Sequence, residues 1–258
     1  MKLIIAILFS IITFFSNAQR AEVLNIKSKE LLNEEKFEKA LPILIEAAEL
    51  GNAESQYNLG VCYQFGYGTV QNDSVATSWY LKSAEQGWTD SEYKMSYAYI
   101  KGTGIEKNEQ KAFVYTLKCA TKKDVECIFN LISCYTDGIG TEKDSVQVLE
   151  WAVELAKMET SENLNVSGKI TSARLNLAHM FMNGKGVNKD IVKSYTWFII
   201  YNESKSDFSV RVQEQQIELI KKLEKQLSHE QIANAKTDAE KMLGKSLTNF
   251  DKLHQWNK

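Results

Sequence analysis

Ser91-Glu-Tyr-Lys94 sets a hydroxyl three residues ahead of an amine, the spacing at which a lysine can take the proton of a serine nucleophile in acyl transfer. Gly66-Tyr-Gly68, followed by Asn72 and Asp73, could aim backbone N–H groups at a phosphate. His179, His229 and His254 could ligate a metal, and Cys62, Cys119, Cys127 and Cys134 could pair as disulfides. Whether any of this chemistry is available depends on the elements that carry these residues.

The glycine pair recurs. Gly66-x-Gly68, Gly102-x-Gly104, Gly138-x-Gly140 and Gly184-x-Gly186 are separated by 36, 36 and 46 residues, a period of 36 with one insertion of ten. Tyr63, Tyr99, Tyr135 and Phe181 each sit three residues before the first glycine, and Leu59, Met95, Leu131 and Leu177 lie four residues earlier still. Trp79, Tyr115, Trp151 and Trp197 follow each first glycine by thirteen residues. The apolar positions fit helical spacing, not strand alternation. A phosphate loop follows a strand, and none precedes these glycines. Each unit therefore reads as a helix, a glycine turn with positive φ, an N-cap at Asn72, Asn108, Asp144 or Asp190, and a second helix.

Composition agrees. One proline and 13 glycines among 258 residues leave room for long helices. A net charge of −2 offers no basic field for nucleic acid or anionic lipid. At the N-terminus, Lys2, an apolar run from Leu3 to Phe15 and Ser16-Asn17-Ala18 have the form of a secretory signal cut after Ala18. Residues 1–18 are thus expected to leave, with no membrane span after cleavage and no lipid anchor, because no cysteine follows the cut. A periplasmic or secreted protein is expected.

Ala53-Glu-Ser-Gln-Tyr-Asn-Leu-Gly60, Tyr63, Gly66-x-Gly68, Trp79-Tyr80 and Lys82-Ser-Ala-Glu-Gln-Gly87 resemble the Sel1-like repeat, a relative of the tetratricopeptide repeat with a longer unit. The resemblance implies an all-α, right-handed solenoid of helix pairs. It covers four units, 53–88, 89–124, 125–170 with the insertion, and 171–206. Val148, where the family prefers a small residue, and the Cys-Ala-Thr-Lys-Lys run from Cys119 depart from its pattern. Residues 19–52 read as a degenerate first helix pair, with Pro42 kinking its second helix or marking a late start. A helix from about Phe208 to Leu227 and another opened by the capping box Ser228-His-Glu-Gln231 and running to about Leu243 would cap the solenoid, and 244–258 would be a loosely held tail. The inserted stretch near 160–170 is polar and turn-rich, and a surface loop is expected there.

The repeat frame sorts the chemistry. Cys62 and Cys134 share a core-facing slot with Ala98 and Met180. Cys127 and Cys134 lie about 10 Å apart along one helix, too far to bond. Cys119 and Cys127 occupy slots that hold small residues elsewhere, Ser83 and then Ser55, Ser91 and Ala173, which suggests close backbones. Their C-x7-C spacing resembles the cysteine-rich Sel1-like proteins of Helicobacter, and that resemblance implies a Cys119–Cys127 disulfide. Ser91 falls in the small interhelix slot, where a nucleophile would be buried, and the histidines have no metal-ligand spacing. Carboxylates fall on predicted solvated faces. No catalytic residue, metal or cofactor is expected.

Solenoids of helix pairs line their inner face with the first helix of each unit. A polar stripe on those helices varies while the core slots repeat. Asn58, Lys94, Tyr97, Lys101, Asn130, Asn176 and His179 are the expected contacts for a protein or peptide partner. Related tetratricopeptide domains clamp peptides with Asn and Lys on this helix. A monomeric scaffold is expected. The alternative is a cell-wall or β-lactam-related binder or hydrolase, as some Helicobacter relatives suggest.

Overall fold

The computed structural model describes residues 2–203 and 210–254, with side chains at 16–203, 214–250 and 252–253. Its elements are α1 (Lys2–Asn33), α2 (Phe37–Glu49), α3 (Ala53–Phe65), α4 (Asp73–Glu85), α5 (Thr89–Lys101), α6 (Glu109–Thr121), α7 (Val125–Asp137), α8 (Ser145–Lys157), α9 (Leu164–Asn183), α10 (Ile191–Glu203), α11 (Val210–Glu224) and α12 (His229–Leu243), then a 3-10 turn, Asp251–His254. No strand occurs among the described residues. The fold is an all-α solenoid built of repeated helix pairs. Two compact units divide it, Met1–Cys127 with Ile139–Thr141, and Ile128–Gly138 with Glu142–Lys258.

The turn reads as the sequence predicts. Gly66, Gly102 and Gly184 end α3, α5 and α9 in the left-handed region. Asn72, Asn108, Asp144 and Asp190 then accept from the first-turn N–H groups of Val75, Lys111, Gln147 and Lys193. The second glycine has a separate reason to be there. A Cβ on Gly104 would stand 2.2 Å from the Asp73 carbonyl oxygen, and one on Gly140 would stand 2.0 Å from that of Glu109. These turns lie flat against the start of a helix 31 residues upstream, which no side chain would permit.

Within the first unit, Leu44, Ala48, Leu59 and Cys62 form one apolar cluster, and Tyr80, Ala84, Met95, Tyr99 and Ala112 form another. In the second unit, Leu131, Leu155, Ile170, Leu177 and Phe198 are fully buried. The slot of Leu59, Met95, Leu131 and Leu177 is closed to solvent in all four repeats.

The next slot along reads the end of the preceding second helix. Gln56 Nε2 donates to the Ala48 carbonyl at 3.0 Å, and buried Arg174 donates to Ala156 and Met158 at 2.7 and 2.8 Å. A cation at a helix C-terminus satisfies orphan carbonyls and the dipole together. Glu92 fills this slot in the second repeat, buried and paired with Lys122 at 2.6 Å. That carboxylate corrects the expectation of solvated faces.

Three further expectations change. The insertion is mostly helix: α9 begins at Leu164, because Asn163 caps it by accepting from Asn165 N and Val166 N and because Ser167, Ile170 and Thr171 are buried. Pro42 does not mark a late start, since α2 begins at Phe37 and carries Pro42 inside it. The tail is held as far as it is described. Thr248 N and Asn249 N donate to the Glu203 carboxylate at 2.8 and 2.7 Å, and Leu247 and Leu253 are buried. The capping box at Ser228 and Gln231 is present, with α12 ending at Leu243. The predicted start near Phe208, the end of the fourth repeat at 204–206, the side chains of 1–15 and that of His254 lie outside the described residues.

Candidate partner-binding site

The expected contact residues fall on the first helices of all four repeats, α3, α5, α7 and α9. Asn58 is half-buried on α3, and Lys94, half-buried, lies with exposed Tyr97 and Lys101 on α5. Asn130 is half-buried on α7, Asn176 is exposed on α9, and His179 on α9 meets the edge of Phe198 at 5.2 Å. Burial holds the His179 imidazole below its usual pKa, so it is neutral at pH 7. The structure brings Lys94 and Tyr97 together in one pocket of the first unit, joined there by Gln64 from α3, Asp73 and Tyr80 from α4, and Thr103. Asn58 and Lys101 do not line it. Asn130, Asn176 and His179 belong to the second unit.

Gln64, Asp73 and Tyr80 were not among the expected contacts. A signal for them exists in the repeat frame. Gln64 is replaced by Ile100, Thr136 and Met182 in the other repeats, and Tyr80 by Thr116, Ala152 and Phe198. Only the first repeat puts an amide and a phenol at these two slots, and they meet: Tyr80 Oη donates to Gln64 Oε1 at 2.8 Å. Lys94 Nζ donates to the same oxygen at 3.2 Å. Burial pulls the Lys94 amine below its usual pKa, against the opposing field of Asp90. Exposed Phe65 stands beside it, its ring 5.9 Å from Nζ and stacked on Tyr67, which stacks in turn on Phe37.

Ser91 and Lys94 form no nucleophile pair. Ser91 is fully buried and donates to Ser83 Oγ at 2.7 Å, while Lys94 reaches Gln64. Among the described residues, no group of three His, Cys, Asp or Glu could hold a metal ion, and no helix is long and apolar enough to cross a membrane. Cys119 and Cys127 are joined by a disulfide with their Cα atoms 5.7 Å apart, and Cys62 and Cys134 are buried free thiols.

The Sel1 repeat family model matches residues 53–88, 89–124, 126–158 and 171–200, more than half of the chain. The chain belongs to the Sel1 repeat family. The first two matched segments have the bounds read from the glycine period, the third starts at 126, the fourth ends at 200 instead of 206, and no match covers 159–170. The fold is similar to a Sel1 repeat protein from Oxalobacter formigenes at 26% identity and a TM-score of 0.59, over 70% of each chain. A protective antigen of uropathogenic Escherichia coli strains, with an SLR fold, matches at 23% identity and a TM-score of 0.40, over 85% of this chain and 51% of its own. No curated protein matches. Sel1 repeat proteins serve in general as protein-interaction scaffolds.

Proposed function

We propose that this Sel1 repeat protein is a periplasmic or secreted scaffold, acting as a monomer, that binds a protein or peptide partner through the polar rows of its first helices. The observation that carries this is the division of labour on α5. Met95, Ala98 and Tyr99 are buried in the core, while Lys94, Tyr97 and Lys101 on the same helix lie outside it. The core slot keeps its character from repeat to repeat and the Lys94 slot is Asn58, Asn130 and Asn176 elsewhere. Amides and an amine offer the donors and acceptors that an extended backbone needs.

Export is supported by two features. A disulfide persists in oxidising compartments. Residues 16–20 are exposed and Ala21 is buried, so a cut after Ala18 leaves Ala21 and the packed residues beyond it in place. A β-lactam-like or cell-wall ligand attacked by Ser91 finds no support, because Ser91 is sealed inside.

The test is capture from a periplasmic extract by the chain and by its Lys94→Ala/Asn130→Ala variant, with the mature N-terminus sequenced. One protein held by the parent and released by the variant, with the chain starting at Gln19, is the expected result. Equal capture by both removes the helix rows from the interface, and a retained Met1 removes export.

A further inference from the structure

Among the described side chains of α1, the first to be held is Arg20, whose guanidinium pairs with the Glu46 carboxylate on α2. Ala21 is buried one residue later, and Asn25 and Ser28 are buried on the same face. Asn25 Nδ2 donates to Glu54 at 2.7 Å and Asn25 Oδ1 accepts from Ser55 Oγ at 2.9 Å, which fixes the helix against α3. Gln19 stands just outside this frame. It is exposed, and among the described residues its side chain makes no hydrogen bond. A cut after Ala18 turns Gln19 into the chain end. Its side-chain carbon Cδ is then within reach of its own α-amine, because closure makes an unstrained five-membered ring. Asn17, the other amide beside the cut, would have to close a four-membered ring. An α-amine has a pKa of about 7.7–8.0 against about 10.4 for lysine, so part of it is unprotonated and nucleophilic at neutral pH. Both reacting groups sit on one residue, which makes the attack unimolecular. The helix adds a reason for the charge to leave. An ammonium on Gln19 stands at the positive end of α1 and beside the Arg20 guanidinium, and both oppose it. Glu22, the acid of the new first turn, accepts from Asn52 Nδ2 at 3.0 Å, and Glu46 is taken by Arg20.

We propose that Gln19 is a modification site and that the mature chain begins with pyroglutamate. This rests on the cut after Ala18 proposed above. The α-amine sheds the proton of its ammonium form and attacks Cδ of its own side chain. The N–Cδ bond forms, the Cδ–Nε2 bond breaks, and the amide nitrogen takes one further hydrogen from the amine and leaves as ammonia. No oxidant, reductant or cofactor is consumed. The product is a neutral lactam, so the positive charge at the start of α1 is gone and an aminopeptidase finds no free amine. The packing is untouched, since the Arg20 pair and buried Ala21 begin one residue on.

The test uses the protein exported from the full chain, digested with a lysine-specific protease, with the N-terminal peptide read by mass spectrometry. That peptide runs from Gln19 to Lys27. A synthetic copy carrying isotope-labelled glutamine is added before digestion and reports any closure during handling. The expected result is a native peptide lighter by one ammonia beside a synthetic peptide that stays open. Gln19→Ala, exported in parallel, keeps its full mass and a free α-amine. An aminopeptidase then removes residue 19 from that variant and nothing from the parent. A native Gln19–Lys27 peptide with its amine open overturns the proposal and leaves the cut in place. An N-terminal peptide that begins at any other residue overturns both. Closure of the synthetic peptide to the same extent as the native one assigns the lactam to handling, and the proposal falls.

Discussion

Ser91 Oγ donates to Ser83 Oγ across 2.7 Å, and both serines are fully buried. Thirty-six residues on, the same two slots hold Cys119 and Cys127, joined as a disulfide. One inter-repeat joint is thus closed by a hydrogen bond and the next by a covalent bond, on the same backbone frame. Ser83→Cys/Ser91→Cys should therefore oxidise to a second disulfide without rearrangement. A loop this short stabilises by about 2–3 kcal/mol. Ser83 Oγ also donates to the Ala53 carbonyl at 2.7 Å, and losing that bond costs about 1 kcal/mol. A net gain of about 1–2 kcal/mol is expected, read as a higher Tm that reductant lowers further than it does in the parent.

The native disulfide makes a matching prediction. Denatured without reductant, the chain should show two thiols, those of Cys62 and Cys134, and four after reduction. In the native protein at pH 8 both should resist thiol reagents. Each is buried, and burial pushes the Cys62 thiol up to about 11. Cys119→Ser/Cys127→Ser should cost less than Cys119→Ala/Cys127→Ala, because two serines can remake the Ser83–Ser91 bond. Denaturant midpoints of the two variants decide it.

Gly60 lies inside α3 where alanine would ordinarily gain about 1 kcal/mol of helix propensity. Here a Cβ would stand 2.6 Å from two ring carbons of Tyr80, whose ring is buried and whose hydroxyl is tied to Gln64. Overpacking costs about 1–3 kcal/mol, so the clash should win and Gly60→Ala should destabilise. The next repeat fills the same pair of slots with Ser96 and Thr116, hydrogen-bonded to each other. Gly60→Ser/Tyr80→Thr should therefore be more stable than the two single changes sum to, in a double-mutant cycle.

The repeat period made most of this fold legible. Glycines, Asx caps and the Leu59 slot recur because each has one physical task, and a task repeated four times stands out against local noise. The residues that line the pocket were legible in part. Lys94 and Tyr97 lie on one helix and could be read from their place beside its apolar stripe. Gln64 and Asp73 come from other helices, and only the tertiary packing of α3, α4 and α5 puts them on the same wall. The insertion failed for a different reason. Serine, asparagine and glycine favour loops by local propensity, whereas the cap at Asn163 and the burial of Ile170 decide for helix.

His179 offers a test through pH. Its folded pKa is held below the ordinary histidine value by burial, so the unfolded chain binds its proton more readily. Stability from this site is complete above the unfolded pKa of about 6.5 and is lost as pH falls through the lower folded value. Proton NMR should show His179 titrating below 6.5, and His179→Phe should flatten the fall in Tm between pH 7 and 5. A normal His179 titration would place the ring in solvent instead.

Gly168 decides whether the insertion behaves as the helix described for it. It sits within α9 without positive φ, and nothing lies within 4 Å of where its Cβ would be. An alanine there removes backbone freedom from the unfolded chain and meets no neighbour in the folded one. Gly168→Ala should stabilise the protein by about 0.5–1 kcal/mol, measured as a shift in denaturant midpoint at unchanged slope. In a surface loop the same change would be neutral or, at a positive φ, destabilising. A second variant, Asn163→Ala, should cost about 1 kcal/mol by releasing the Asn165 and Val166 N–H groups it caps. Opposite signs from two substitutions five residues apart are what a capped helix requires, and a loop produces no such pattern.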